Sequence, residues 1–254
     1  MTRIIDAKRK RLQVAQLRVP EPIVKRMAET ARPVPSFQNA LEQPQRVRVI
    51  AEVKKASPSK GVLKADLDPA SQAAAYRRAG ACAISVVTEE DFFQGELGWV
   101  GSIRDAANLP VLRKDFIYEP FQVYETRAAG ASAILLIVAM LLPDELQSLI
   151  TLGRNMRLDV LVEVHDETEL REALEAGASI IGVNNRNLKT FDVDIQTSVR
   201  LAPLIPDDRF FIVESGIHGK ADVDLLLNAG ADAFLIGEHF LTSADPAAAI
   251  RGLS

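Results

Sequence analysis

Six polar residues stand out because each follows a short apolar run: Glu52, Lys54, Lys114, Glu163, Asn184 and Glu214. Two lysines set among three carboxylates suit general acid–base chemistry, because burial and neighbouring charge can tune both residue types toward neutral pH. The lysine at 114 also admits a Schiff base. The chemistry needs these groups at one place, although they are spread over the chain from residue 52 to residue 214. The elements between them must therefore bring them together.

Those elements can be read from punctuation and period. The triplet Ala-Gly-Ala recurs four times, centred on Gly80, Gly130, Gly177 and Gly230. Each glycine suits the left-handed position after a helix, and each precedes a β-prone run. Four further apolar runs lie between these, at Val47–Val53, Pro110–Leu112, Asp159–Val164 and Phe210–Val213. Eight strands result, starting near residues 47, 83, 110, 133, 159, 180, 210 and 233. Helical patterns separate them, among them Pro69–Ala79, Phe121–Ala129, Pro143–Met156, Glu167–Ala176 and Lys220–Ala229, and Pro246–Leu253 closes the chain. Alternating strands and helices give parallel strands joined by right-handed crossovers, and eight such units predict a (β/α)8 TIM barrel. A doubly wound open sheet competes less well, since no Gly-x-Gly-x-x-Gly turn follows the first strand. Residues 1–45 fall outside the alternation. Arg3–Arg18 reads as an amphipathic helix and five prolines follow it, so residues 1–45 are expected to be an N-terminal helical extension that caps the barrel or packs beside it. Residues 1–254 then form one domain.

A barrel puts its chemistry at the C-terminal ends of its strands, and alternate strand residues point inward. Ile50, Glu52 and Lys54 share one parity and Val49, Ala51 and Val53 the other. The apolar set should pack on helices, which turns Glu52 and Lys54 into the barrel. The same parity test turns Lys114 and Phe116, Glu163, Asn184 and Arg186, and Glu214 toward one mouth. An ion-pair network serving stability alone is the weaker explanation, because desolvation offsets the Coulomb gain of buried charges. The last two strands end in Glu214-Ser215-Gly216-Ile217 and Gly237-Glu238-His239-Phe240. Backbone N–H groups at Gly216, Gly237 and Glu238 suit a phosphate at that end of a barrel. Ser57 adds a hydroxyl, while Lys55 and Lys60 read as solvated surface. His165 shares the parity of Glu163 but reads as lying behind the site or in solvent, and His218 and His239 as loop or helix-surface residues.

Composition narrows the partners. With 48% apolar residues a packed core is expected, and the 6% aromatic share makes it aliphatic. A net charge of −4 argues against nucleic acid. No apolar run approaches the roughly 18 residues of a membrane span. Cys82 is the single cysteine, so neither an internal disulfide nor a thiolate zinc site is expected; it reads as a small buried hydrophobe. No signal peptide is recognised at the basic N-terminus, and a reducing cytoplasmic location is expected. Neither a metal nor a cofactor is called for, membrane and nucleic acid are excluded as partners, and a monomer is the simplest assembly.

The residues around these positions resemble one family. The run Val49-Ile50-Ala51-Glu52-Val53-Lys54-Lys55-Ala56-Ser57-Pro58-Ser59-Lys60-Gly61 is similar to the signature of the indole-3-glycerol phosphate synthases. So are Leu112-Arg113-Lys114-Asp115-Phe116-Ile117, Leu161-Val162-Glu163-Val164-His165, Gly182-Val183-Asn184-Asn185-Arg186-Asn187-Leu188 and Glu214-Ser215-Gly216-Ile217. The resemblance implies a TIM barrel that closes the indole ring of 1-(2-carboxyphenylamino)-1-deoxyribulose 5-phosphate with loss of CO2 and water, without cofactor or metal. It implies Lys114 as general acid, Glu163 as base and Lys54 as carboxylate ligand and second acid. Glu52, Asn184 and Glu214 would orient lysines and hydroxyls, Phe116, Arg186 and Ser215 would line the pocket, and Ser57, Gly216, Gly237 and Glu238 would lie on the phosphate side. The run Gly237-Glu238-His239-Phe240 departs from the family pattern, in which a Ser follows Gly-Glu. A phosphoribosylanthranilate isomerase or a non-catalytic sugar-phosphate barrel are the rival readings. The first would want a Cys or Asp pair, and the second a broken acid–base set.

Overall fold

A computed structural model describes residues 2–188, 190–241, 243 and 245–253. Eight parallel strands form a closed barrel: β1 (Val49–Val53), β2 (Ala83–Val87), β3 (Val111–Lys114), β4 (Ala133–Ile137), β5 (Asp159–Val164), β6 (Ile180–Asn184), β7 (Phe210–Glu214) and β8 (Ala233–Ile236). Closure is explicit in the pairing of β1 with both neighbours, Ile50 opposite Ala83 and Leu235. That removes the open-sheet alternative. β3 begins one residue after the run expected for it, because Pro110 has no N–H to give to a ladder. All four Ala-Gly-Ala glycines have positive φ, from 84° at Gly177 to 107° at Gly80, as the helix-ending role demands.

The parity argument appears as two separate apolar layers. Ile50, Leu112, Leu161 and Ile212 belong to the cluster inside the barrel. Val49, Ala51 and Val53 belong to the layer between strands and helices. Cys82 is buried beside the inner cluster, and its Sγ donates to the carbonyl of Val49 at 3.3 Å.

The N-terminal segment reaches both ends of the barrel. The helix Phe37–Leu41 inserts two fully buried side chains, Phe37 and Leu41, into the inner cluster beside Ala83, Ala133, Ile180 and Ala233, which start their strands. That closes the bottom. Ser36 caps this helix through the N–H of Asn39, and Asp159 at the start of β5 accepts from the N–H of Gln38 at 2.9 Å. The helix Glu21–Glu29 packs Val24 and Ala28 on Phe121 and Tyr124. The helix Thr2–Arg18 (α1) sends Lys8 to the other end, where its ammonium meets Asp115 at 2.7 Å and Glu90 at 3.1 Å.

Asp115 is the centre of a buried network that parity reasoning did not anticipate. Arg113, outward-facing on β3 and 2% exposed, donates to Asp115 (2.9 Å), Glu125 (2.9 Å), Thr126 (3.0 Å) and Thr88 (3.1 Å). Thr88 also donates to Asp115 at 2.7 Å. Burial works against the Asp115 anion, but Arg113 and Lys8 overcome it and bring its pKa down to about 2. A depressed carboxylate contributes stability above its ordinary pKa of about 3.9 and loses it as pH falls toward the folded value. The substitution D115N should therefore cost about 3 kcal/mol at neutral pH, because two buried cations lose a shared anion. It should also flatten the loss of stability between about pH 4 and pH 2. Urea unfolding of both proteins across that range checks this, and equal midpoints would remove the network from the stability account.

Candidate active site

The strand ends of the barrel surround a cavity of about 430 Å³. Every one of the thirteen candidate residues lines it: Glu52 on β1 with Lys54 and Ser57 after it, Lys114 at the end of β3 and Phe116 after it, Glu163 on β5, Asn184 at the end of β6 and Arg186 after it, Glu214 at the end of β7 with Ser215 and Gly216 after it, and Gly237 and Glu238 after β8. A larger groove of about 1030 Å³ runs along α1, but its charges include the exposed pair Arg11–Asp91 and none of the candidate residues lines it. Among the described residues no group of three His, Cys, Asp or Glu side chains is placed to hold a metal ion, and no helix is long and apolar enough to cross a membrane.

Lys114 is the hub. Its ammonium is in direct contact with Glu214 and lies 3.6 Å from Glu163. Burial alone would lower its pKa, yet Glu214, Glu163 and Glu52 together raise it well above the ordinary lysine value, so it is an ammonium throughout the neutral range. Glu163 and Glu214, 2% and 1% exposed, diverge. For Glu163, burial is overcome by Lys114, His165 and Asn184, and the carboxylate is held ionised. For Glu214, burial and the nearby anions outweigh Lys114, and the carboxyl is pushed up. Two carboxylates with opposite shifts beside one ammonium are the arrangement that separates proton acceptor from proton donor. Lys54 pairs with Glu52 at 2.5 Å, which with Lys114 brings the buried Glu52 below its usual range.

Two glycines make room for these carboxylates. A Cβ at Gly182 would lie 2.4 Å from Glu214 Oε1, and one at Gly237 would lie 2.3 Å from Glu52 Oε1. Gly237 therefore clears space for Glu52, whatever its N–H does for an anion. Ser215 (φ 65°) and Gly216 (φ 78°) take left-handed conformations, which turns the chain sharply at the end of β7; the Ser there carries strain that a glycine would not.

The expected anion side is not a bare cradle of amides. Glu238 is ion-paired with Lys60 and lies 3.5 Å from Arg186, so Lys60, exposed as expected, also belongs to the mouth. His218 sits on an exposed loop and His239 on the short helix Glu238–Leu241, as expected of them, and both also line the cavity; neither carries a parity signal, because both follow the strands. Other residues that sequence reasoning passed over are Phe93, whose ring lies 6.3 Å from that of Phe116, and Ile4 of α1. Glu89, fully buried, accepts from the N–H groups of Asp91, Phe92 and Phe93 and so fixes the loop that presents Phe93. His165 stands directly behind Glu163, 3.2 Å from its Oε1.

Comparison with known proteins agrees with this geometry. The family model for indole-3-glycerol phosphate synthase matches residues 1–253. Indole-3-glycerol phosphate synthases of Dehalococcoides mccartyi (strain CBDB1) and Rhodococcus jostii (strain RHA1) are 51% and 50% identical, covering 87% and 91% of this chain and 87% and 85% of theirs. That of Chlorobium chlorochromatii (strain CaD3) is 47% identical over 90% of this chain and 91% of its own. A thiamine phosphate pyrophosphorylase from Pyrococcus furiosus superposes with a TM-score of 0.61 at 16% identity, covering 82% of this chain and 93% of that one, a likeness of fold alone.

The glycine at 182 offers a test of the hub. In G182A the new methyl displaces Glu214 Oε1, the far end of a flexible side chain, so the barrel should stay folded while the Glu214–Lys114 contact is lost. A misplacement of this kind costs about 10²-fold in kcat. Steady-state kinetics beside thermal unfolding separates the two effects, and an unchanged kcat would mean that the position of Glu214 is immaterial.

Proposed function

The chain belongs to the indole-3-glycerol phosphate synthase family, and from that premise we propose how its barrel mouth carries the reaction. The enzyme is a carboxy-lyase of tryptophan biosynthesis: it converts 1-(2-carboxyphenylamino)-1-deoxyribulose 5-phosphate to indole-3-glycerol phosphate, CO2 and water. The observation that carries the assignment of roles is the buried Lys114 ammonium between Glu163 and Glu214 at the floor of the cavity.

Ring closure begins when the ring carbon bearing the carboxylate attacks the ketone. Negative charge develops on the ketone oxygen, and Lys114 stabilises it and delivers a proton, leaving a hydroxyl. The C–CO2 bond then breaks and its electron pair restores the aromatic ring. In the last stage the hydroxyl departs as water with acid assistance from Lys54, and Glu163 takes the proton that the five-membered ring sheds as its double bond forms. The directions of the carboxylate shifts support this division, with Glu163 ionised and able to accept. Glu52 holds Lys54, and Asn184 holds Glu163 through a 3.1 Å hydrogen bond. Glu214 Oε1 is buried without a hydrogen-bond partner among the described residues, and a substrate hydroxyl would satisfy it. The paired rings of Phe93 and Phe116 offer a wall for the substrate's benzene ring.

The phosphate takes the other end, against Ser57 and the N–H groups of Gly216, Gly237 and Glu238, with Lys60 and Arg186 as the nearest cations after exchange with Glu238. Ser215 lines the passage between the two ends. We further take the chain as one catalytic unit, residues 1–45 included, working as a cytoplasmic monomer. The support is that α1 contributes Ile4 to the cavity and Lys8 to the end of β3, so one chain completes the site.

Purified protein incubated with the carboxyphenylamino-deoxyribulose phosphate should generate indole fluorescence, and K114A should lose about 10²-fold or more in turnover, the scale of acid–base catalysis. Near-normal turnover in K114A would remove Lys114 from the acid role, and a silent wild type beside a working control enzyme would reject the whole reading.

A further inference from the structure

His165 belongs to no part of the mechanism above, yet it is mostly buried and both of its ring nitrogens face carboxylates. Nδ1 lies 2.8 Å from Glu169 Oε2, which also accepts from the backbone N–H of His165 at 2.8 Å. Nε2 lies 3.2 Å from Glu163 Oε1, close enough for an ion pair though too bent for an aligned hydrogen bond. A neutral imidazole has one N–H and one lone pair. Either neutral tautomer would turn a lone pair toward an anionic oxygen here, so the geometry calls for the doubly protonated ring.

The groups around it agree. Glu163 comes from β5 and Glu169 from the helix Glu167–Glu175, whose N-cap is Asp166; the facing strand β6 contributes neutral Asn184. Lys114 sits on the far oxygen of Glu163. Burial disfavours the imidazolium, but Glu163 and Glu169 more than compensate and raise its pKa to about 10.

We infer that His165 is a permanent imidazolium that, with Asn184, holds Glu163 by Oε1 and so leaves Oε2, the oxygen facing Lys114, as the one that exchanges a proton with the substrate. His165 is then a positioning residue, acting through Glu163. The inference rests on Glu163 being the base, but the charge on the ring can be measured without any catalysis.

The protein has only three histidines, so ¹⁵N–¹H correlation spectra of the wild type can resolve each ring, with H165Q identifying the relevant one. Both nitrogens of His165 should remain protonated from about pH 5 to about pH 8, the window in which an ordinary imidazole titrates. A ring that loses a proton in that window overturns the inference, and this measurement stands even if H165Q folds poorly. In folded H165Q, kcat should fall at least about tenfold with KM within about twofold, as expected for loss of alignment rather than of binding. The acid limb of the kcat/KM profile should move to higher pH, because Glu163 has lost a cation that favours its ionised form. An unmoved acid limb with unchanged kcat contradicts the role of His165. Retained activity in E163Q would instead sink the assignment of the base while leaving the charge on His165 intact.

Discussion

The structure is organised around one ammonium surrounded by three carboxylates at the mouth of a closed barrel. Lys114, Glu52, Glu163 and Glu214 come from four strands, and burying any one of them alone would be prohibitive. They are tolerable only as a group, which requires that β1, β3, β5 and β7 end at nearly the same level. Barrel closure enforces that level, because each strand's register is fixed by both neighbours. Below the charges, Ile50, Leu112, Leu161 and Ile212 fill the interior, and Phe37 and Leu41 close it from underneath. This apolar plug keeps water out of the floor, so the charges interact through a poorly screened medium from below. It does nothing for them from above, where the cavity opens.

Such an arrangement costs stability. Glu214 illustrates the balance: one of its oxygens meets Lys114 and the other has no hydrogen-bond partner among the described residues. A fold selected for stability alone would fill the space with a hydrophobic side chain, since buried ion groups rarely outperform well-packed apolar ones. Instead, the chain keeps a glycine at 182 and another at 237, each removing a methyl group that would collide with a site carboxylate.

Most of the mouth was legible because parity is a rigid consequence of strand geometry. Once Val49, Ala51 and Val53 are assigned to the helix side, Glu52 and Lys54 have only the inside left. Residues just past the strands escape that logic. His218 and Lys60 sit on loops and His239 on the short helix Glu238–Leu241; their directions depend on tertiary contacts, and their places at the cavity could not be read from spacing. The helices Trp99–Ala107 and Gln196–Leu201 were not picked out, the second having too few turns to show a period. His165 lay between these cases: its parity was right, but its closeness to Glu163 depends on the helix after β5 turning Glu169 back to hold the ring.

The segment Arg113-Lys114-Asp115 shows where the parity argument is incomplete rather than wrong. Assigning the outer face of a barrel strand to apolar packing holds for β1, but at the end of β3 both faces are charged. Lys114 points in to the carboxylates, while Arg113 points out and meets Asp115 just past the strand. An outward arginine that is 2% exposed needs partners, and Thr88, Glu125, Thr126 and Asp115 supply them from the neighbouring loop and helix. Lys8 then ties that network to α1, more than a hundred residues away in sequence. Two ionic clusters are thus separated only by the thickness of one strand, and the backbone between them has little freedom to move. The N-terminal helix therefore bears on the mouth in two ways, directly through Ile4 at the cavity and indirectly through Lys8, because whatever holds Asp115 also limits where its neighbour Lys114 can go.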